Sequence, residues 1–353
     1  MYKMLNNIHI PLKLRKVLIF LLIPLLLLNL VSCGGDDTDV VPYTTAEEYI
    51  KSQGFLGTVL VKRDGIEVLR KGFGYADKEA QQFNKTSTRF RIGSLTKAFT
   101  ALAIVQLKNA DLLKYDDPIS NFLPNLTRGS EITIRHLLTH RSGLDEYVPL
   151  VNENQSYTSL ELVNLVKDRP LIFQPGSQFR YTNSNYLLLG HIIETVTDLD
   201  YATFIESNIT NPLGMFNTEY GSSTIVGDEY AKGYQNMFQS KLSKFHDMSI
   251  PYAAGALSSN LDDMEIWANS FYDLTLISQQ DKQDIFEGDY GFGWSITSIA
   301  GNNVYMHTGG IRGFSSIIVL FPDQNGMIIL LSNIEGVHNQ FRHIVSTLAE
   351  YEF

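Results

Sequence analysis

The chain has 353 residues, 44% hydrophobic and 19% charged, an ordinary globular balance, with a formal net charge of −10. A chain this acidic has no electrostatic footprint for nucleic acid and does not attract anionic headgroups, and its single cysteine, Cys33, excludes an intrachain disulfide. The length fits one large domain or two smaller ones, and the absence of repeats or low-complexity tracts argues against solenoids and propellers.

Residues 1–32 read as a separate object. Lys3, Lys13, Arg15 and Lys16 form a positive segment ahead of the apolar run Val17–Leu30. That run is shorter than the roughly 20 residues of a membrane span and is weakened by Pro24 and Asn29, so a secretory signal is expected. The junction Leu30-Val31-Ser32-Cys33 resembles the bacterial lipoprotein signal, in which the cysteine is lipidated and becomes the new N-terminus. Residues 33–45, beginning Cys-Gly-Gly-Asp-Asp, then read as a flexible acidic tether. Removing residues 1–32 deletes four positive charges and no negative ones, taking the net charge from −10 to −14. The expected partners are therefore a membrane, through lipid rather than charge, and a small-molecule or peptide substrate. The expected location is the bacterial cell envelope.

Residues 46–353 read as one catalytic domain. Thr58–Asp77 holds two β-rich runs around Arg63-Asp64-Gly65, a hairpin signal. The middle of the chain is mainly helical: Arg91–Ala110, Ile132–His140, Ser159–Asp168 and Asn185–Asp198. Short strands are expected at Tyr290–Thr297, Asn303–Gly310, Ser315–Pro322 and Gly326–Asn333, with a turn at Asp323–Gly326 and a closing helix over about Gln340–Tyr351. Strands at both ends with helices between predict an α+β fold: one antiparallel sheet built from both termini, flanked by helices, with a mainly helical insertion. An active site would fall between sheet and insertion.

Three motifs carry chemistry. From Phe99 to Val105 only Thr100 is polar, so the helix there is surrounded by protein, yet Ser94 and Lys97 share one face at its start. A buried ammonium is costly unless paired or deprotonated, and an amine beside a hydroxyl can manage the proton of an activated serine. The same letters also fit a capping serine followed by a snorkelling lysine. The second motif is Tyr181-Thr182-Asn183, ahead of an apolar helix. A phenol can exchange a proton with a nucleophile if nearby cations lower its pKa, and an asparagine amide can hold a lysine and a carbonyl; packing and helix capping are the alternatives. The third is His307-Thr308-Gly309-Gly310 on a C-terminal strand, whose glycines allow close backbone approach and whose edge could take a peptide-like ligand.

In this order and spacing the three resemble the S-x-x-K, Y-x-N and K-T-G elements of the serine β-lactamase and penicillin-binding-protein family, nearest its class C β-lactamase, D-Ala-D-Ala carboxypeptidase and esterase branch. The resemblance runs from about Ala46 onward and includes His136–Leu144, Ala253–Met264 and Tyr290–Trp294. It implies the β-lactamase/transpeptidase-like fold and an acyl-enzyme mechanism on an amide, ester or β-lactam, without a cofactor. Ser94 would be the nucleophile, with Lys97 and Tyr181 sharing the proton transfers. Asn183 would bind the acyl amide, and the N–H groups of Ser94 and Gly310 would form the oxyanion hole. His307 replaces the usual lysine; a histidine there predicts weaker binding of carboxylate-bearing substrates, regained as the ring protonates toward pH 6. Peptidase or esterase activity is thus expected over robust β-lactamase activity. A non-catalytic penicillin-binding or sensor lipoprotein on the same fold is the alternative. His136 and His140, at i and i+4 on the expected helix, could bind zinc by spacing, but no glutamate or third ligand accompanies them, so packing and hydrogen bonding are expected instead.

Overall fold

The computed structural model describes residues 44–224, 227–236 and 241–353. The expected signal (1–32), Cys33 and nearly all of the tether therefore lie outside the described residues. Thr45 caps helix α1 (Ala46–Ser52), accepting a hydrogen bond from the Glu48 amide. Strands β1 (Gly57–Arg63) and β2 (Ile66–Phe73) then fold back through Asp64-Gly65, at φ 53° and 76°, the positive backbone angles a tight hairpin turn needs.

The insertion contributes α2 (Thr96–Asn109), α3 (Ile134–Leu138), α4 (Ser159–Val166) and α5 (Asn183–Thr197). All of α2 except Gln106, Lys108 and Asn109 is buried, as its unbroken apolar run predicts. The chain returns to the sheet as β3 (Ser295–Ile299), β4 (Asn302–Ile311), β5 (Phe314–Phe321) and β6 (Gly326–Ser332), and closes with α6 (His338–Glu352). The strand order is β3-β4-β5-β6-β1-β2, antiparallel throughout, with Thr58–Lys62 of β1 beside Met327–Leu331 of β6.

Alternation along the strands gives the sheet two buried faces. Val59, Val61, Val319 and Leu330 join Ile50 of α1 and Phe341 and Leu348 of α6 in one core cluster. Leu60, Ile318, Leu320 and Ile329 join the residues of α2 and α5 in the other. The fold is the antiparallel sheet with a helical insertion that the sequence predicts.

One element differs. Tyr290–Trp294 is a loop rather than the start of a strand, and β3 begins only at Ser295. The loop packs on α2 so closely that a side-chain carbon at Gly293 (φ +80°) would meet the Ala98 backbone at 2.7 Å. The positive φ at Gly293 lies outside the extended region that a strand requires.

Candidate active site

Ser94 lies in a short 3-10 turn (Gly93–Leu95) that runs into α2, so Lys97 follows one turn later on the same side. Two backbone clamps hold the turn. The Ser316 hydroxyl donates to the Ile92 carbonyl (2.8 Å), and the Ile92 amide donates to the Leu257 carbonyl (3.0 Å). Glycines let the turn meet β4: a side-chain carbon at Gly309 would strike the Ile92 carbonyl oxygen at 2.0 Å, and one at Gly93 would meet the Gly310 nitrogen at 2.9 Å. The β4 glycines are expected from the sequence to allow substrate approach; Gly309 is required by contact with the turn that carries Ser94.

Lys97 is fully buried and has three partners: Ser94 Oγ at 3.0 Å, Asn183 Oδ1 at 2.8 Å and the Ala254 carbonyl at 2.8 Å. A neutral amine fits this set, with two N–H groups for the two carbonyl oxygens and a lone pair for the serine proton. Loss of hydration lowers the Lys97 pKa from 10.5 to about 7, against the opposing pull of Glu146. The lysine is therefore divided between both protonation states near neutral pH.

Glu146 carries no motif in the sequence. Its carboxylate accepts from the Asn183 backbone N–H (2.9 Å) and side-chain Nδ2 (3.1 Å), and from the backbone N–H groups of Tyr147 and Val148. It thereby fixes the Asn183 amide with Oδ1 on Lys97. No local spacing marks such a contact between a loop carboxylate and a helix start.

Tyr181 keeps 38% of its surface exposed, and Ser94 lies near enough to its hydroxyl to oppose the effect of burial on it. Desolvation pushes its pKa well above 10, and Glu146 adds to the rise. The expectation of a phenol lowered by cations is therefore reversed. Lys97 lies over the ring face, 4.9 Å from its centroid, and not beside a phenolate. Ser94, Lys97, Tyr181 and Asn183 thus converge.

His307 is placed differently from its expected role. It is buried near Tyr181, with ring centroids 6.0 Å apart. Its Nδ1–H donates to the Thr308 carbonyl at 2.7 Å, and Nε2 lies 3.1 Å from the Tyr290 hydroxyl. That hydroxyl is 3.2 Å from His140 Nε2, while His140 Nδ1 accepts from Asn185 Nδ2 (3.0 Å) and the Thr182 amide (3.3 Å). These partners fix one direction of donation: Asn185 to His140, His140 to Tyr290, Tyr290 to His307, His307 to Thr308. Burial, with Lys97 nearby, drives the His307 pKa down to about 3. The ring does not charge as pH falls toward 6, and the expected pH-dependent attraction for a carboxylate is corrected on that ground.

His136 and His140 do not share a helix face either, because α3 ends at Leu138 and His140 sits at φ 55°. Both nitrogens of His140 are hydrogen-bonded, as is His136 Nδ1, to the Thr133 amide.

The rest of the third motif lies on a free edge. β3 covers β4 only from Asn302 to Met306, and among the described residues no strand flanks His307–Ile311 on that side. Thr308 is half-buried there and Gly310 is exposed, while the Gly309 carbonyl accepts from His338 Nε2 at 2.9 Å. Ser94 opens into a cleft of ≈ 220 Å³ whose walls include Tyr147, Asn183, His246, Gly310 and Arg312.

This sheet, helical insertion and clustered Ser-Lys-Tyr-Asn group define the architecture of the penicillin-binding serine hydrolases. The family model described as Beta-lactamase matches residues 44–348, and the chain belongs to that family. It is 31% identical over 293 residues to a putative penicillin-binding protein, PbpX, of Bacillus subtilis, covering 82% of this chain and 73% of the relative. Penicillin-binding protein 4* of Bacillus subtilis is 30% identical over 310 residues, covering 80% and 68%. Among solved structures, a penicillin-binding protein of Bacillus halodurans superposes with a TM-score of 0.76 at 25% identity, covering 86% of this chain and 99% of that one. The fold is also shared with D-amino acid amidase of Ochrobactrum anthropi SV3, at a TM-score of 0.77 and 23% identity over 87% and 97% of the two chains.

Proposed function

We propose that this chain is a serine hydrolase that acylates Ser94, acting on peptide-like amides or esters in preference to β-lactams. The observation that carries this reading is the contact between the buried Lys97 amine and Ser94 Oγ at 3.0 Å, with the lysine held to about 7. A base of that strength takes the serine proton at neutral pH, whereas the protonated Tyr181 hydroxyl does not. As Oγ bonds to the substrate carbonyl carbon, the proton passes to Lys97. The oxyanion is held by the Ser94 and Gly310 N–H groups. When the bond to the leaving nitrogen or oxygen breaks, the proton returns to that atom through Lys97 and the Tyr181 hydroxyl. Water then repeats the sequence on the acyl-enzyme, releasing an acid and restoring Ser94.

An extended acyl group fits the open edge of His307–Ile311, adding as a strand, with Asn183 beside it. The neutral His307 offers no charge to a β-lactam carboxylate, which favours peptidase, amidase or esterase chemistry. The poised Lys97 favours catalysis over a purely binding role. The test is an acyl-donor probe read by intact mass. Wild type gains the acyl mass and Ser94→Ala does not; equal labelling of both chains refutes the assignment.

We also place the protein in the bacterial cell envelope, anchored by lipid at Cys33, on the signal and acidic tether in its sequence. More than one acyl chain is needed for stable anchoring. The mature chain should begin at Cys33 and carry lipid mass, while Cys33→Ser should be unprocessed or soluble. A mature wild-type chain that begins elsewhere without lipid removes this part of the reading.

A further inference from the structure

With His307 neutral and buried, the charge that faces the cleft comes from another residue. Arg312 lies in the turn between β4 and β5, two residues beyond Gly310, and forms a wall of the cleft that holds Ser94. Its guanidinium pairs with Glu153, which sits on the loop that also carries Tyr147 and Val148 on the facing side. The pair therefore runs from the sheet side of the cleft to the loop side. The two side chains are 29% and 51% exposed, so solvent and ligands can reach the pair. Neither residue is used by the proton transfers at Ser94.

His246 borders the same cleft, and its Nδ1 is buried without a hydrogen-bond partner. Desolvation, with Arg312 and Arg91 nearby, lowers its pKa to about 4, so it is a neutral ring near a guanidinium. A buried ring nitrogen without a partner is uncommon, and a ligand atom in the cleft would supply one. Asn183 lines this cleft too, which places it on the side that receives the acyl group.

We propose that Arg312 is the specificity residue for an anionic substituent on the acyl portion of the substrate, and that Glu153 is the internal carboxylate which occupies Arg312 until that substituent displaces it. The spacing sets where the anion sits. Arg312 projects from the turn just past Gly310 on a long side chain, so the carboxylate would lie several bonds from the scissile carbonyl bound at Gly310. A guanidinium presents paired donors to a carboxylate, and His246 adds a neutral N–H beside it. Acyl groups such as a glutaryl chain, or an acyl peptide with an acidic side chain, have the required length and charge. This inference rests on the hydrolase reading only for the identity of the acyl side.

The experiment compares two esters that share a leaving group and acyl length, p-nitrophenyl hydrogen glutarate and p-nitrophenyl valerate. The quantity read is the ratio of their kcat/KM values, glutarate over valerate, with the full-length protein. Arg312→Ala should lower the ratio by about tenfold or more, the scale of one lost charge-assisted hydrogen bond, and Arg312→Lys should recover part of it. Glu153→Gln should raise the ratio, because the competing carboxylate is gone. Added salt should reduce the wild-type ratio more than that of Arg312→Ala. Binding of the stable anilides, glutaranilic acid and valeranilide, to Ser94→Ala gives the same contrast without turnover. A ratio and a binding preference that both ignore Arg312→Ala overturn the proposal. Ester hydrolysis that survives Ser94→Ala would instead count against the hydrolase reading.

Discussion

Lys97 and His307 are two buried bases near Tyr181, and the difference between them is one of partners rather than of depth. Lys97 faces three oxygen atoms and lies within the field of Glu146, which opposes the effect of its lost hydration. His307 has one acceptor, the Thr308 carbonyl, and receives a proton donor, Tyr290, on its other nitrogen, with Lys97 repelling any charge on the ring. One base is left titrating near 7 and the other near 3. Burial makes both neutral forms accessible, but only the site rich in acceptors keeps a group that can gain and lose a proton at physiological pH.

The largest test of this contrast is at Lys97. Lys97→Met keeps most of the volume and removes the base, and kcat/KM should fall by about three orders of magnitude or more, since groups that act as a unit fail together. In the wild type, kcat/KM should rise with pH through an apparent pKa of about 7, because activity follows the deprotonated amine. Glu146→Gln removes a negative charge that favours the ammonium, so that limb should move to lower pH, and kcat/KM at acidic pH should change less than at Lys97→Met. A limb that stays in place in Glu146→Gln, or persists in Lys97→Met, assigns the ionisation to another group.

The sheet was legible in the sequence because each strand alternates or runs apolar between strong turn signals, as at Asp64-Gly65. The contact between Ser94 and Lys97 was legible because a polar pair opens an otherwise apolar helix. What could not be read were contacts between segments far apart in the chain. Glu146 meets Asn183 across 37 positions, and Tyr290 lies 150 positions from His140 and 17 from His307. His307 was read by analogy with a lysine that faces substrate. The ring's actual orientation depends on Tyr290, whose loop was itself read as a strand.

The smallest effect, and the one that isolates His307, is on stability in mild acid. Its pKa is about 3 in the folded protein against 6.5 for an ordinary histidine. Between those values the unfolded chain binds one more proton than the folded chain, so stability is lost as pH falls. Each such histidine contributes a slope of about 1.4 kcal/mol per pH unit once the unfolded ring is protonated. His140, driven well below 6.5 by burial, adds a similar slope, and so does His246, lowered to about 4. Lys97 adds none in this range, since below about 7 it is protonated in both states; its own effect appears from 7 to 10.5, where stability rises with pH. Urea unfolding from about pH 6 to about pH 5 avoids most carboxylate titration. His307→Gln should flatten the slope by about 1.4 kcal/mol per pH unit relative to wild type. An unchanged slope would mean that His307 takes up its proton in the folded protein despite its burial.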